Sequence, residues 1–327
     1  MNPKIMQLTA LVLALCSVGV AWAESQQDKA KQWLERMLQA PKTFNYEGTF
    51  VYVQGQILEA MYIVHSSKDG ERQRMVSLNG SVREVVVAND KVTCLLPEEQ
   101  PGAEGGNYNR SPFPIALPQE LDKLERYYQF ATVGNDRVAA RKTQVIAIEP
   151  RDKLRFGYRL WLDHETGIML RSALLDEVGR IVEQLMFTQL QVKPEIDEEL
   201  LSPSKPLSPP RSSKADASEE TVERSDWEIA QLPPGFIQVL HKRYSQSSGK
   251  HSTEHIVFTD GLATISVFLE ELDGAQPLLI GASRMGAMNA FGAVIAEHQA
   301  VVVGEVPQAT VELIASSLQY TPGVTTE

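Results

Sequence analysis

The sequence is poor in cysteine. It has 327 residues and only 2 cysteines, and the first of them, Cys16, lies in an apolar stretch at the N-terminus. Removal of that stretch leaves Cys94 as the only thiol, which excludes an intrachain disulfide and leaves burial to hold the fold together. Because Cys94 lies in an apolar run without a neighbouring Cys, His or Asp signature, we expect a buried structural thiol.

Catalytic motifs are also lacking. The chain contains no G-x-S-x-G, H-E-x-x-H, P-loop or dinucleotide fingerprint, so neither hydrolysis nor nucleotide chemistry has a starting residue. His251 and His255 could share one side of a strand, but no third ligand with familiar spacing accompanies them, and two surface histidines are the simpler interpretation. We therefore predict no metal, no cofactor and no enzymatic activity.

The chain has fewer basic than acidic residues, 31 Lys and Arg against 42 Asp and Glu, which gives a formal net charge of −11. Together with an export signal, this charge argues against nucleic acid as a partner. The signal consists of Lys4, an apolar stretch from Ile5 to Val20 and the triplet Ala21-Trp22-Ala23, which is typical of a secretory signal peptide covering residues 1–23. No later apolar run reaches membrane-spanning length, so the mature protein is predicted to be exported without a second anchor.

What the sequence does contain is alternation of apolar and polar residues. Turn signals divide the run from Arg155 to Val192 into three strands, the pattern of an antiparallel meander. Similar patterns between Phe44 and Ile148 bring the total to about ten strands, and an amphipathic helix from Ser25 to Leu38 precedes them. A sheet of that size curls or closes. We predict an α+β protein in which residues 24–193 form a large, curved antiparallel sheet with packed helices.

The aromatic residues of the first strand leave two alternatives for the interior of this sheet. Because they share one face, the interior is either a filled core or an apolar cavity for an acyl chain. The candidate cavity residues are Phe50, Tyr52, Tyr62, Leu160 and Leu162. A long loop between Pro97 and Pro118 carries an apolar strip that we interpret as a lid at the mouth of the sheet, with Phe113, Ile115 and Leu117 as candidates.

Basic residues cluster in one stretch of this acidic chain. Between Lys123 and Arg159 there are nine basic and four acidic residues. Such a block indicates an anion site, for lipid phosphates or an acidic peptide, and a solvated strand face is the alternative. The candidate anion-binding residues are Arg141, Lys142, Arg155 and Arg159.

Composition changes between residues 194 and 225, where prolines and serines replace aromatic residues. This segment is predicted to be a flexible linker. Strand patterns resume at Phe236, one of them from Ile280 to Asn289, and Pro307 opens a last amphipathic helix. Residues 226–320 are therefore predicted to form a smaller α+β domain.

Several stretches together carry a resemblance that extends over nearly the whole mature chain. They are Gly80–Val85, Tyr127–Val138, Arg155–Asp163, Leu174–Phe187, Trp227 with Leu232–Phe236, Asp260–Phe268 and Val302–Pro307. In order and spacing these stretches resemble one family, the RseB/MucB family of periplasmic sigma-E regulators.

The resemblance implies a function by binding. It implies a LolA/LolB-like unclosed barrel as the first domain and a location in the periplasm. It also implies that the protein binds the periplasmic segment of a membrane-spanning anti-sigma factor, shields it from site-1 proteolysis and releases it when lipopolysaccharide or another acylated lipid binds. A periplasmic lipid or lipoprotein carrier is the alternative, suggested by the first domain alone, and homo-oligomerisation is left open.

Overall fold

The computed structural model describes residues 26–68, 70–88, 91–95, 117–204, 217–222, 225–246 and 252–322, with the backbone alone at 91–95, 217–219 and 246. The predicted signal peptide, Phe113, Ile115 and the side chain of Cys94 lie outside this description. Among the residues described, no helix has both the length and the apolar character needed to cross a membrane.

Ten antiparallel strands form the first sheet, in the spatial order β5-β4-β3-β2-β1-β10-β9-β8-β7-β6. Strands β1–β5 form one meander, β6–β10 form a second, and pairing of β1 with β10 joins the two. Because β5 and β6 are the two ends of this order, the sheet is open. The predicted fold class is confirmed. The strands are β1 Asn45–Gln54, β2 Ile57–Ser66, β3 Arg72–Ser77, β4 Glu84–Ala88, β5 Lys91–Leu95, β6 Tyr128–Val138, β7 Arg141–Pro150, β8 Gly157–Asp163, β9 Met169–Leu175 and β10 Ile181–Lys193.

A helix over residues 26–43, α1, covers one face of this sheet, which we call the inner face. Its buried residues Ala30 and Leu34 pack in a cluster with Leu160 and Leu162 of β8, and Ala40 packs with Tyr46 and Phe50 of β1. The helix extends two residues past Pro41, beyond the predicted helix end, although Pro41 has no N–H to donate to the preceding turn. A short helix, α2 (Leu121–Leu124), adds two buried leucines to the first cluster.

The opposite, outer face of the sheet is covered at β2 and β3 by a short helix, α3 (Glu198–Leu201). Tyr62 lies on this outer face, because its cross-strand partner is Thr49, whereas Phe50 pairs with Met61. The Tyr62 hydroxyl donates to Glu47 at 3.1 Å, and its ring packs against Val64 and Leu201. The prediction that Tyr62 points inward is therefore wrong: an apolar outer face under α3 also takes an aromatic residue.

The second sheet has seven strands in the order β11-β13-β14-β15-β18-β17-β16. Helix α4 (Gln308–Ser317) begins after Pro307, as predicted, and buries Val311 and Ile314 in the core of this sheet. A separate pair joins β12 (Trp227–Ile229) to β19 (Leu318–Tyr320). The seven strands are β11 Ala217–Thr221, β13 Ile237–Gln246, β14 Ser252–Thr259, β15 Thr264–Glu271, β16 Gly281–Met285, β17 Met288–Ile295 and β18 His298–Gly304.

Two further sequence predictions differ from this structure. The single strand predicted from Ile280 to Asn289 is a hairpin, with Gly286 at φ 61° in its turn. The predicted linker at 194–225 contains α3 and β11, and β11 pairs with β13. Helix α3 was obscured because the apolar contacts beside it, those of Ile196 and Leu201 with Val64, involve residues distant in sequence. Strand β11 was obscured because its partner β13 lies outside the predicted linker.

Candidate functional site: the joint between the two sheets

Arg155 is the central residue of the contact between the two sheets. It precedes β8, and its side chain is 0% exposed. An arginine can be buried at this level only if its charge and its donors are satisfied, because transfer of an unpaired charge out of water costs several kcal/mol. The structure supplies partners from both sides of the joint.

The principal partner of Arg155 is Asp260, in the turn between β14 and β15 of the second sheet. Arg155 Nε donates to Asp260 Oδ2 at 2.6 Å, and the Asp260 side chain is likewise 0% exposed. Arg155 also donates to the carboxylate of Asp152 and to the backbone oxygen of Pro234. All three nitrogens of the guanidinium group thus donate hydrogen bonds, two of them to residues in the second sheet's part of the chain, Asp260 and Pro234.

Asp260 is fixed by further hydrogen bonds. Its Oδ1 accepts the backbone N–H groups of Leu262 at 3.0 Å and Ala263 at 2.8 Å. Its Oδ2 accepts the hydroxyl of Tyr128 from the first sheet at 2.9 Å. Burial, followed by the neighbouring Asp260 carboxylate, raises the pKa of Tyr128, so its hydroxyl remains a donor. The joint is therefore a fully bonded polar network in an apolar surrounding, which fixes geometry strongly.

Aromatic rings enclose the guanidinium group. The guanidinium carbon of Arg155 lies 5.0 Å from the ring centre of Tyr127 and 5.1 Å from that of Phe236. Tyr127 directly precedes β6 of the first sheet, and Phe236 directly precedes β13 of the second. Gly235, at φ 89°, lies so close to Tyr127 that a β-carbon there would overlap the ring. Thr310 of α4 donates to the backbone oxygen of Leu154 at 2.8 Å, which adds one more bond across the joint.

A second contact lies at the turn of the β16–β17 hairpin, residues 285–288, which we call the hairpin tip. Ala287 is 0% exposed and belongs to the same buried cluster as Leu160, Leu162 and Leu174 of the first sheet. A β-carbon on Gly286 would lie 2.7 Å from Cγ of Gln54 in β1. The hairpin tip thus enters the inner face of the first sheet.

A cleft of about 570 Å³ lies beside the hairpin tip. Strands β1 and β10 and the turn between β9 and β10 form one wall, and Arg284 and Gly286 form the other. Its charged residues balance, since Asp176 and Glu183 oppose Arg180 and Arg284, and Arg180 Nε donates to Asp176 at 2.8 Å. Exposed apolar side chains lie at or near its rim, including Ile181 at 51% and Met285 at 73% exposure.

The predicted cavity residues do not surround one space in this structure. Phe50 and Tyr52 belong to the cluster around β1, Leu160 and Leu162 are 0% exposed in the cluster under α1 and α2, and Tyr62 lies on the outer face. None of the five lines the cleft beside the hairpin tip. Of the lid residues, only Leu117 is described, and it packs against the α1 cluster.

The predicted anion-binding residues do not converge either. Arg155 is buried against Asp260, so its assignment as a lipid-phosphate ligand is wrong. Arg141 donates to both oxygens of Asp163, at 3.0 and 2.9 Å, and to Glu165. Lys142 is exposed, and Arg159 has Glu149 at 3.9 Å. Arg159 pairs with Ala147, six residues along β7 from Arg141, which places them about 20 Å apart at 3.3 Å per residue.

Sequence reasoning missed Asp260 and the hairpin tip. Asp260-Gly261 is a generic turn signal, and nothing local shows that its carboxylate leaves the turn to meet an arginine 105 residues away. The one available signal was Arg155 itself, a charged residue next to Phe156 and just before β8, which needs a partner if it is buried.

These features define a class of protein: an open ten-stranded sheet joined through a buried ion pair and an inserted hairpin to a smaller α+β sheet. The chain matches the sequence models of the MucB/RseB N-terminal domain over residues 29–205 and of the MucB/RseB C-terminal domain over residues 221–319. It belongs to the MucB/RseB family.

Individual relatives agree with this assignment. The sigma factor AlgU regulatory protein MucB of Pseudomonas aeruginosa is 30% identical over 328 residues, covering 96% of this chain and 98% of MucB. The sigma-E factor regulatory protein RseB of Haemophilus influenzae is 27% identical over 319 residues, covering 96% and 98%. A chain of the Pseudomonas aeruginosa MucA/MucB complex structure aligns with a TM-score of 0.72 and 28% identity, over 90% of this chain and 100% of that one.

Proposed function

We propose that this protein is a periplasmic negative regulator of a sigma-E-type envelope-stress response and acts by binding the periplasmic segment of a membrane-spanning anti-sigma factor. The observation that carries the proposal is the match of both halves of the chain to relatives that are sigma-factor regulatory proteins. The similarity to a chain from the MucA/MucB complex extends over both sheets, which supports a shared binding mode.

Binding of this kind would protect the anti-sigma factor from site-1 proteolysis. A protease needs an accessible, extended segment, and a segment held against a folded surface is neither free nor extended into solvent. The large open sheet, the cleft beside the hairpin tip and the second sheet offer adjoining surfaces for such a segment. The role requires no catalytic residue, in agreement with the lack of catalytic motifs in the sequence.

The two sheets together, rather than one alone, are proposed to hold the segment. Release by lipopolysaccharide or another acylated lipid then follows if the lipid favours a different arrangement of the sheets, because a ligand shifts an equilibrium only by its differential affinity for the two states. Such coupling is reciprocal and is typically about 1–3 kcal/mol, or roughly 5- to 150-fold in affinity.

The alternative from sequence, a lipid or lipoprotein carrier, has less support. A carrier needs an accessible interior, and the inner face of the first sheet is occupied by α1, α2 and the hairpin tip. A carrier also has no use for a second sheet joined through a buried ion pair.

The test is calorimetric titration of the mature chain, residues 24–327, with the periplasmic segment of the anti-sigma factor from the same cell. We expect saturable one-to-one binding and slower cleavage of the bound segment by its site-1 protease. Addition of lipopolysaccharide should weaken binding of the anti-sigma segment roughly 5- to 150-fold. If the segment does not bind, or is cleaved at the same rate with and without the protein, the proposed function is wrong.

A further inference from the structure

The hairpin tip is buried in the apolar cluster of the first sheet and not in the core of the second sheet, to which the hairpin belongs. Asn289, 3% exposed, donates to the backbone oxygen of Val306 at 2.7 Å, which anchors the base of the hairpin in the second sheet. Beyond this anchor the tip extends away from its own core and buries Ala287 in the cluster of the first sheet. The tip therefore contributes to the core of the first sheet.

The surroundings of Ala287 are apolar. Its cluster contains Leu160, Leu162 and Leu174, all less than 5% exposed, and Val182 packs against it. A methyl group fills little of the space that a larger side chain would take, and the residue before it has no side chain at all. The two central residues of the tip, Gly286 and Ala287, are therefore small, and withdrawal of the tip would expose apolar surface that an apolar chain could cover.

The tip also closes the inner face from one side. The cleft of about 570 Å³ lies directly against Gly286, and its first-sheet wall includes Val53, Ile181 and Val182. Val182 is common to the cleft wall and to the residues packed against the buried cluster. The cleft and the buried cluster of the inner face thus meet at Val182, beside the hairpin tip.

We propose that the hairpin tip is a built-in plug of the inner face, and that an acyl chain of a lipid enters there only when the tip withdraws. Because Asn289 and the β17–β18 pairing fix the hairpin to the second sheet, withdrawal moves that sheet as a body. The inference deepens the proposed function, on which it rests, by identifying the element through which lipid changes the arrangement of the sheets.

A reversible crosslink tests this directly in the full mature chain. In a Cys94→Ser background, the double substitution Gln54→Cys and Gly286→Cys places two thiols at positions that are in contact. A β-carbon on Gly286 would lie 2.7 Å from Cγ of Gln54. The probe is a fluorescent long-chain fatty acid, and the two single-cysteine variants treated with the same oxidant are the controls. We expect oxidation to weaken fatty-acid binding roughly 5- to 150-fold, the range of typical couplings, and reduction to restore it.

A second variant pair tests the plug without a crosslink. Ala287→Glu introduces a charge into the apolar cluster and should expel the tip, so fatty-acid binding should strengthen. Ser283→Glu adds the same charge on the exposed part of the hairpin and should leave binding unchanged. Near-ultraviolet circular dichroism shows whether both variants keep their folded cores.

The outcomes separate this inference from the proposed function. Fatty-acid binding that is equal in the oxidised and reduced double variant overturns the plug, as does failure of the crosslink to form. Weaker fatty-acid binding by Ala287→Glu, with its core intact, also overturns it. Binding of the anti-sigma segment is measured in the same samples, and its absence in the wild-type chain counts against the proposed function alone.

Discussion

The two contacts between the sheets differ in chemistry. At the Arg155 contact, a charge with 0% exposure is held by Asp260, Asp152 and Pro234 and enclosed by aromatic rings. At the hairpin tip, Ala287 enters an apolar cluster and Gly286 lies against the flexible side chain of Gln54. Loss of a single partner at the Arg155 contact would leave a buried charge unpaired, which costs free energy. The hairpin tip, in contrast, can separate from the first sheet without leaving a charge unpaired. This difference suggests a pivot at Arg155 and an opening at the tip.

The largest expected effect comes from removal of the buried carboxylate. Asp260→Ala leaves Arg155 buried without its main partner and should destabilise the protein by about 3–5 kcal/mol. Urea unfolding measures this loss, and Glu228→Ala, at an exposed position, is the matched control. A loss below about 1 kcal/mol would mean that water reaches Arg155 and that the contact is no pivot.

A smaller effect is expected at Gly235. Alanine there would overlap the Tyr127 ring and would carry a β-carbon at φ 89°. Overpacking of this kind costs about 1–3 kcal/mol. The double variant Gly235→Ala, Tyr127→Ala should recover part of the loss in the same urea experiment, because the overlap is gone. If the double variant recovers no stability, the cost of Gly235→Ala comes from the backbone alone.

Gly286 offers the direct counterpart at the hairpin tip. Alanine there meets Cγ of Gln54, a side-chain atom that can move, so only the backbone cost of φ 61° remains, about 1–2 kcal/mol. Thermal unfolding of Gly286→Ala and Gly235→Ala side by side tests the comparison. If Gly286→Ala is the more damaging of the two, the tip is the rigid contact and the assignments of pivot and opening must be exchanged.

An ion pair inside the first sheet gives the smallest effect and a reference for the joint. Burial opposes ionisation of Asp163, but the bonds from Arg141 and Thr166 outweigh it and lower its pKa. A depressed pKa contributes stability above the unfolded value of about 3.9 and loses it as pH falls through the folded pKa. Asp163→Asn should therefore flatten the pH dependence of stability below about pH 4, as followed by circular dichroism. An unchanged slope would show that Asp163 titrates normally.

Much of the fold could be predicted because its signals are local. Alternation indicated about ten strands, and the apolar stripe with its buried Ala30 and Leu34 indicated α1. Pro307 marked the start of α4, since proline fits the first turn of a helix. In each case, the residues that report the element are the residues that form it.

The sequence by itself therefore determined most of the elements, their antiparallel pairing of neighbours and the family, whereas the tertiary structure decided how the surfaces are used. Tyr62 alternates like an inward residue, but α3 covers the outer face and receives it. Arg155 and Arg141 look alike in a basic stretch, yet one is buried against Asp260 and the other pairs within its own sheet. Ala287 has no distinguishing neighbour in sequence and is buried only because another sheet surrounds it. Alternation records which side chains share a face; which face is covered, and by which distant carboxylate or hairpin, depends on contacts between residues more than a hundred positions apart.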